Sequence, residues 1–292
     1  MQIYSGVRTD SSRWSKFELR PGDVIVSTPP KCGTTWMIAV VSMLLHGNTE
    51  LSAPTSELSP WLDYSPTAFD EICNAYGSQV GRRLIKTHTP VDGLPRDDGV
   101  HIISVLRNPL DAIRSMRRHV FNMVSPRKDD PFLKDENAVI ARALDLAFRS
   151  TNVDDVSLEL LVHHLRVSVL AMARKDREIT LVHYSDMKRD LRKEVERVAA
   201  AVQATASQEF LDDVVEAASI SSMRSKAEQF TPLSNVKHFT STEKFFGVGE
   251  ERGHDKLAPH LKTRYKERLA ELLPPSEAAW LDGGGAPQSV IG

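Results

Sequence analysis

The sequence has few cysteines and no long apolar run. Cys32 and Cys73 are its only cysteines among 292 residues, and with ten scattered histidines they lack the ligand spacing of a zinc site. No stretch approaches 18 consecutive apolar residues, so a membrane span is not expected. The segment 1–20 is polar and mixed in charge, unlike a signal peptide. The sequence therefore predicts neither a metal site nor a membrane anchor.

An excess of positive charge is also absent. The chain has 37 Lys and Arg residues against 39 Asp and Glu residues, which gives a formal net charge of −2. Nucleic-acid binding needs a basic face that neutralises phosphates, so no such partner is predicted. Hydrophobic residues make up 41% of the sequence, an ordinary value for a globular protein. We expect one domain over residues 1–292, with a flexible Gly-rich tail from about residue 283.

The most informative segment lies between residues 27 and 36, which read STPPKCGTTW. A short β-branched run precedes it and an apolar, helical stretch follows it. A strand, a tight loop and a helix start bind anions well, because loop N–H groups and the helix N-terminus offer unpaired donors. Gly33 lets the backbone approach an anion, Lys31 adds a full charge, and Thr34 and Thr35 add hydroxyl donors. This segment is therefore predicted to bind phosphate.

The order of residues separates this loop from that of the nucleoside-triphosphate-binding proteins. Their motif, GxxxxGK[S/T], has its lysine after the second glycine, whereas Lys31 comes two residues before Gly33.

Cys32 lies within the loop, where a disulfide would distort the site, so a reducing, cytoplasmic setting is predicted. Cys32 is either a small buried side chain or, beside Lys31 and a helix start, a thiol of lowered pKa.

A second motif follows the apolar run at 83–85 and consists of Lys86, Thr87 and His88. Imidazole titrates near neutrality, so His88 is a candidate general base. Lys86 leaves the same face of an extended segment and would stabilise developing negative charge. On its own, His88 could equally be a hydrogen-bonded loop histidine.

A third motif follows the apolar run at 102–106. Arg107, Asn108 and Pro109 open a predicted helix, and Ser115 stands eight residues after Arg107. Proline suits the first helical turn, and a guanidinium matches phosphate with two parallel hydrogen bonds. Together the arginine and serine indicate a second phosphate-binding point.

These three motifs, in this order, resemble the cytosolic-type sulfotransferases. Such enzymes move a sulfuryl group from 3′-phosphoadenosine 5′-phosphosulfate (PAPS) to an acceptor hydroxyl or amine, and release adenosine 3′,5′-bisphosphate (PAP) without a metal. The resemblance implies that His88 is the general base, with Lys31 and Lys86 as catalytic cations. It also implies that these residues bind the nucleotide: Lys31, Cys32, Gly33, Thr34, Thr35, Trp36, Arg107, Ser115, Tyr184, Arg252 and Gly253.

The later part of the chain matches that family less well. Tyr184 fits a tyrosine near the adenine, and Ser219, Ile220 and Met223 match further adenine contacts loosely. The family usually carries Arg-Lys-Gly or Phe-Arg-x-Gly followed by Gly-x-Trp, but residues 244–256 here read KFFGVGEERGHDK. Either Arg252 supplies the missing charge after a one-residue shift, or this side of the nucleotide site is weakened.

The order of apolar and helical patterns predicts an α/β fold, a mostly parallel sheet flanked by helices, which is the P-loop-like fold of the sulfotransferases. Strands are predicted at 23–28, 83–87, 101–106 and 178–184. Helices are predicted at 34–46, 109–123, 155–175, 187–203, 208–217 and 260–273. Asp186 is expected to cap the helix after it, and residues 124–137 are expected to form a mobile loop. The motifs then converge at the carboxyl edge of the sheet, where ligands bind in such folds.

The acceptor is predicted to be a small alcohol or phenol with apolar or aromatic character, because residues 60–64 and 121–123 supply aromatic and Met side chains. Lipids, sterol-like alcohols and sugars stay open. Two alternative functions are a P-loop-type small-molecule kinase that uses ATP and Mg²⁺, and a non-catalytic relative that binds PAP. No match to the family's short C-terminal dimer motif is present, so no oligomeric state is predicted.

Overall fold

The computed structural model describes residues 1–230, 238–241, 243–246, 253–254 and 257–287. Its sheet has four strands: β1 (Val24–Ser27), β2 (Leu84–Thr87), β3 (His101–Leu106) and β4 (Glu178–His183). Their spatial order is β2-β1-β3-β4, and every neighbouring pair is parallel. The predicted parallel sheet flanked by helices is confirmed.

The helices of the described residues cover both faces of this sheet. They are α1 (Thr34–His46), α2 (Thr55–Leu58), α3 (Phe69–Gly77), α4 (Pro109–Phe121), α5 (Glu136–Asp145), α6 (Leu158–Arg174), α7 (Tyr184–Arg189), α8 (Leu191–Ala201), α9 (Gln208–Ala217), α10 (Ile220–Ser225), α11 (Ala227–Phe230), α12 (Pro259–Leu272) and α13 (Pro275–Gly283). Short 3₁₀ turns occupy Ser11–Lys16, Val91–Gly93, Pro131–Leu133 and Glu243–Phe246.

The central strands are buried on both faces, which explains the apolar runs of β1 and β3. Val24 and Val26 of β1 pack on one face with side chains of α1, α8 and α9. The other large cluster joins Leu106 of β3 to α4, α5, α6, α12 and α13. A third cluster, under β2, contains Ile85 and Trp14. The core therefore fixes the ends of β1, β2 and β3, which carry the predicted site.

The structure corrects several details of the prediction. The helix expected at 187–203 is two helices, because Asp190 is extended (φ −152°, ψ 80°) and its carboxylate caps the N–H of Lys193. Tyr184 begins α7 rather than ending a strand. The ring of His183 caps that helix by accepting from Ser185 N at 3.2 Å, so the capping role predicted for Asp186 is wrong.

The segments expected to be irregular contain regular structure and specific contacts. Residues 124–137 contain the turn at Pro131–Leu133 and the start of α5, which Asp135 caps. The chain after α13 is tied back, since Gly285 N donates to Asp186 and Gly285 O accepts from Trp280. The rest of the predicted tail, 288–292, lies outside the described residues.

Candidate active site

The sheet register brings the three motifs to one edge. Ser27 of β1 is level with Thr87 of β2 and with Ser104 of β3, and Leu106 is level with His183 of β4. The residues that follow these strands therefore emerge side by side at the carboxyl edge, where open α/β sheets bind ligands.

The phosphate loop holds a conformation that leaves its donors open. Gly33 has φ +100° and Lys31 has φ +68°, so the chain makes a left-handed turn just before α1. No side chain caps the N-terminus of α1, and the hydroxyls of Thr28 and Thr34 hydrogen bond to each other. A Cβ on Gly33 would lie 2.9 Å from the Tyr184 ring, so only glycine fits here. This is the arrangement by which a helix start binds an anion.

His88 is held as a neutral base in one tautomer. Its Nδ1 lies 2.7 Å from the carbonyl oxygen of Thr28, which can only accept, so Nδ1 carries the proton and Nε2 keeps its lone pair. The ring packs edge-on against Trp61, with centroids 4.7 Å apart. Burial, with the charge of Lys86 second, lowers the pKa of His88 to about 3. Nε2 is therefore unprotonated at neutral pH, as it must be before a general base can accept a proton.

Asp63 supports the segment that carries His88. Its Oδ2 accepts hydrogen bonds from Thr87 at 2.7 Å, from Thr89, and from Trp14 Nε1 at 3.3 Å. The carboxyl group is fully buried, and burial raises its pKa. Sequence reasoning placed Asp63 only within a possible acceptor pocket, because its partners are distant in sequence.

Lys31 and Lys86 both lie close enough to His88 for their charges to lower its pKa. Lys86 Nζ lies 4.9 Å from the Trp61 ring centre, and Lys31 Nζ lies 4.9 Å from that of Phe245. Burial, with neighbouring positive charges of which Arg107 is the largest, lowers the pKa of Lys31 to about 7. Burial lowers that of Lys86 to about 8. An anion bound beside them would restore the full charge of both lysines.

The predicted second phosphate-binding point is a buried guanidinium. Arg107 is 4% exposed, lies 4.1 Å from the centre of the Tyr184 ring, and donates to Lys31 O at 3.3 Å. Its Nε has no hydrogen-bond partner among the described residues. Ser115 is two turns further along in α4 and is partly buried. A buried N–H donor that lacks a partner in the protein is suited to donate a hydrogen bond to a bound ligand.

Trp36 and Tyr184 form an aromatic pair next to this guanidinium. Their ring centroids are 5.3 Å apart, and Trp36 Nε1 donates to Ala218 O at 2.8 Å. Ser219 caps α10, and Met223 lies in the same buried cluster as the two aromatic rings. The structure thus brings together the residues that the resemblance places around the adenine.

The end of the chain returns to this site through Gly253. Gly253 N donates to Asp111 at 3.1 Å, and Gly253 O accepts from Arg114 at 2.6 Å, so both contacts fall on α4. Arg252, proposed to bind the 3′-phosphate, and most of the divergent 247–256 segment lie outside the described residues.

Cys32 is fully buried and contributes to the core under α4. Burial raises the pKa of its thiol to about 12, so the alternative of a lowered pKa is wrong. Low polarity disfavours the thiolate more than the nearby Arg107 and Lys31 favour it. Cys32 therefore acts as a small side chain that lets the loop pack. Neither cysteine is in a disulfide.

Sequence reasoning missed two cationic or titratable side chains near the reaction centre. His119 of α4 has its Nδ1 3.2 Å from Lys31 Nζ. The positive charge of Arg8 acts on both His88 and His119. Of the predicted 121–123 group, Phe121 is 52% exposed, whereas Met123 pairs with Phe239. The His119 and Arg8 contacts join residues far apart in sequence, and no local motif marks them.

Within the described part of the chain, no helix is long and apolar enough to cross a membrane. The same residues contain no group of three or more His, Cys, Asp or Glu side chains arranged to hold a metal ion.

Comparison with known proteins agrees with these features. A family model for the sulfotransferase domain matches residues 21–274. A glycolipid sulfotransferase of Mycobacterium bovis is 31% identical, over 97% of this chain and 94% of that protein. Sulfotransferase 1B1 of Mus musculus is 27% identical, over 77% of this chain and 72% of that protein.

Solved structures share the fold at lower identity. Mouse sulfotransferase SULT7A1 complexed with PAP has a TM-score of 0.68 and 18% identity, covering 93% of this chain and 92% of that one. Retinol dehydratase in complex with androsterone and PAP also has a TM-score of 0.68, with 14% identity over 91% of this chain and 84% of that one. The chain therefore belongs to the sulfotransferase family, and the prediction of a PAPS-dependent sulfotransferase is confirmed.

Proposed function

We propose that this protein transfers a sulfuryl group from PAPS to a hydroxyl group of an acceptor that is partly apolar, with His88 as the general base. The observation that carries the proposal is the 2.7 Å contact between His88 Nδ1 and Thr28 O, since it leaves Nε2 unprotonated. A base in a fixed tautomer next to two lysines and a phosphate loop suits proton removal from an alcohol during group transfer.

The residues present fit an anionic nucleotide donor. The uncapped start of α1 and the hydroxyls of Thr34 and Thr35 would hold its 5′-phosphosulfate. Arg107, whose Nε lacks a partner within the described residues, would bind the 3′-phosphate with Ser115 and Gly253. Trp36 and Tyr184 would flank the adenine. PAPS supplies an activated sulfuryl group, so the chain itself needs only to position it and neutralise its charge.

Lys31 and Lys86 would provide that neutralisation. Charge accumulates on the oxygen that leaves with the phosphate, and the charges of both ammonium groups already act on the neighbouring His88. His88 would take the proton of the acceptor hydroxyl on the opposite side. Because no step requires a Lewis acid, we propose that the reaction proceeds without a metal.

The acceptor side is proposed to be aromatic and apolar. Trp61 touches the His88 ring and stacks on Tyr64 with centroids 4.9 Å apart. Phe239 and Phe245 lie 5.4 Å apart and pack against His119. Such walls bind the apolar face of a sugar ring, a phenol or a lipid. The Mycobacterium bovis relative is a glycolipid sulfotransferase, which makes a glycolipid hydroxyl the first candidate.

Two measurements test the function. Calorimetric titration should show PAP binding without metal, and no comparable binding of ATP with Mg²⁺; a preference for ATP would favour a kinase. Transfer of ³⁵S-sulfuryl from PAPS should then be measured to octyl glucoside, methyl glucoside and 4-nitrophenol. Transfer to octyl glucoside but not to methyl glucoside would support a lipid-linked sugar. PAP binding with no transfer to any acceptor would favour the non-catalytic alternative.

The setting is proposed to be cytoplasmic. Both cysteines are free, and Cys32 is buried inside the phosphate loop, where oxidation would disrupt the site.

A further inference from the structure

The reaction centre contains a second imidazole, that of His119. Its Nδ1 lies 3.2 Å from Lys31 Nζ, and its ring lies edge-on to Phe239 and Phe245, with centroids 5.1 and 6.0 Å away. The same Phe245 ring lies 4.9 Å from Lys31 Nζ. The ammonium group of the phosphate loop is thus held between an imidazole and an aromatic ring.

When Lys31 is protonated, this pair has one consistent arrangement. An ammonium group has no lone pair, so Lys31 donates and His119 Nδ1 accepts, which leaves the ring proton on Nε2. Burial lowers the pKa of His119 to about 2, with the charges of Lys31, Arg8 and Lys86 next in order. Burial and these three cations keep the ring neutral, so Nδ1 accepts from the lysine whenever Lys31 carries its ammonium proton.

His119 provides the hydrogen-bond acceptor for the long, flexible side chain of Lys31. The φ of Lys31, +68°, is unusual for a side-chain-bearing residue, and the lysine side chain has four rotatable bonds. Among the described residues, the lysine has no carboxylate partner and His119 alone accepts a hydrogen bond from its Nζ. Without His119, the ammonium group would sample several rotamers near the donor.

We propose that His119 is a positioning residue: it accepts a hydrogen bond from Lys31 and thereby orients the ammonium group toward the sulfuryl group in transfer. The inference rests on the proposed function, because Lys31 acts there on the leaving phosphate oxygen. His119 acts through Lys31 and takes no proton from the acceptor, a task that belongs to His88. The effect therefore falls on kcat and leaves nucleotide affinity nearly unchanged.

Asn and Leu provide a matched pair of substitutions at this position. They have nearly the same shape, and Asn Oδ1 can stand where Nδ1 accepts, whereas Leu cannot accept. With PAPS and 4-nitrophenol as the probe acceptor, H119L should lower kcat ten- to a hundredfold, as for loss of a hydrogen bond to a charged group. H119N should stay within about threefold of wild type. The affinity for PAP should change less than threefold in both variants.

The double variant with Lys31→Met separates orientation of the lysine from packing. If His119 acts through Lys31, adding H119L to Lys31→Met should change kcat less than twofold. Equal losses in H119L and H119N, or a full H119L effect in the Lys31→Met background, would overturn the proposal.

A spectroscopic measurement tests the contact independently of turnover. The ¹⁵N resonances of the His119 ring should show a neutral ring protonated on Nε2 at pH 7, and Lys31→Met should shift the Nδ1 resonance. A proton on Nδ1, or no response to Lys31→Met, would contradict the inference even if the enzyme is active. Wild-type protein that shows these signals but transfers no sulfuryl group would instead contradict the proposed function.

Discussion

The guanidinium of Arg107 lies 4.1 Å from the centre of the Tyr184 ring. The two residues follow β3 and β4, and their contact joins the predicted 3′-phosphate point to the aromatic pair of Tyr184 and Trp36. A cation on a ring face is held in orientation while its N–H edge stays available for hydrogen bonds. The contact therefore presents the unpartnered Nε of Arg107 without using its donors.

Arg107→Lys should reduce PAP affinity by about tenfold or more, because lysine cannot form two parallel hydrogen bonds with a phosphate. AMP is PAP without the 3′-phosphate, so its affinity should fall less than threefold. Calorimetry with both ligands measures the difference. As a control, Tyr184→Phe keeps the ring beneath the guanidinium and should keep the affinity for PAP. Equal losses for AMP and PAP would show that Arg107 does not contact the 3′-phosphate.

Gly33→Ala should disrupt the phosphate loop. A Cβ at this position would stand 2.9 Å from Tyr184 Cδ2, and φ is +100°. The left-handed backbone alone costs about 1–2 kcal/mol for a non-glycine residue, and the contact displaces either the loop or the tyrosine. We expect lower stability in urea and at least a tenfold loss of PAP affinity.

Gly47→Ala is the control for that substitution. Gly47 also has positive φ, at +62°, but a Cβ there would meet nothing within 4 Å. Its substitution should cost about 1 kcal/mol of stability and leave PAP affinity unchanged. Equal effects of the two variants on PAP affinity would refute a specific role of the close contact at Gly33.

His88→Asn should remove turnover and preserve the fold. The Asn amide can still donate to Thr28 O, but it offers no basic nitrogen, so we expect kcat to fall by about 10²–10⁴. His88→Ala should lose turnover as well, and PAP affinity should stay within about threefold of wild type in both variants. Steady-state kinetics measures the loss of kcat, and calorimetry measures the affinity for PAP. Turnover that survives within a few-fold would rule out His88 as the base.

Asp63→Asn should be tolerated, whereas Asp63→Leu should not. The three donors to Asp63, from Trp14, Thr87 and Thr89, all point at Oδ2, while Oδ1 has no partner among the described residues. An Asn oxygen can occupy the place of Oδ2, but Leu leaves buried donors unpaired, each worth about 1–3 kcal/mol. Urea denaturation should show a loss of about 3 kcal/mol or more for Leu and less than half of that for Asn. A larger loss for Asn than for Leu would contradict this account.

The sequence predicted those parts of the site that depend on local pattern. The four strands and the phosphate loop were predictable because buried parallel strands are continuous apolar runs, and because Gly33 and Lys31 mark a loop before a helix. The contact of His119 with Lys31 joins residues 88 positions apart, and Asp63 acts on residues 24 to 49 positions away. Such contacts depend on how α4 and the 61–64 segment pack, which no short motif encodes. The break between α7 and α8 was missed because one capping residue, Asp190, ends a continuous helical pattern.

Stability should fall as the pH is lowered below about 6.5, because two buried histidines and one partly buried histidine stay neutral in the fold. Burial is the main cause that lowers the pKa of His88 to about 3, that of His119 to about 2, and that of His164 well below its usual value. The unfolded chain binds protons at these residues near pH 6.5, but the native state does not, so the free energy of unfolding decreases with falling pH.

His164 allows the cleanest test of this effect. It is fully buried, and burial is the main cause that lowers its pKa. One such histidine contributes about 1 kcal/mol to the loss of stability between pH 7.0 and 5.5. His164→Leu should therefore reduce that pH-dependent loss by about this amount, whatever its effect at pH 7.0. His260→Asn, at an exposed position, should leave it unchanged. Urea denaturation at pH 7.0 and 5.5 measures this loss of unfolding free energy. If the loss is as large in His164→Leu as in wild type, His164 is protonated in the native state.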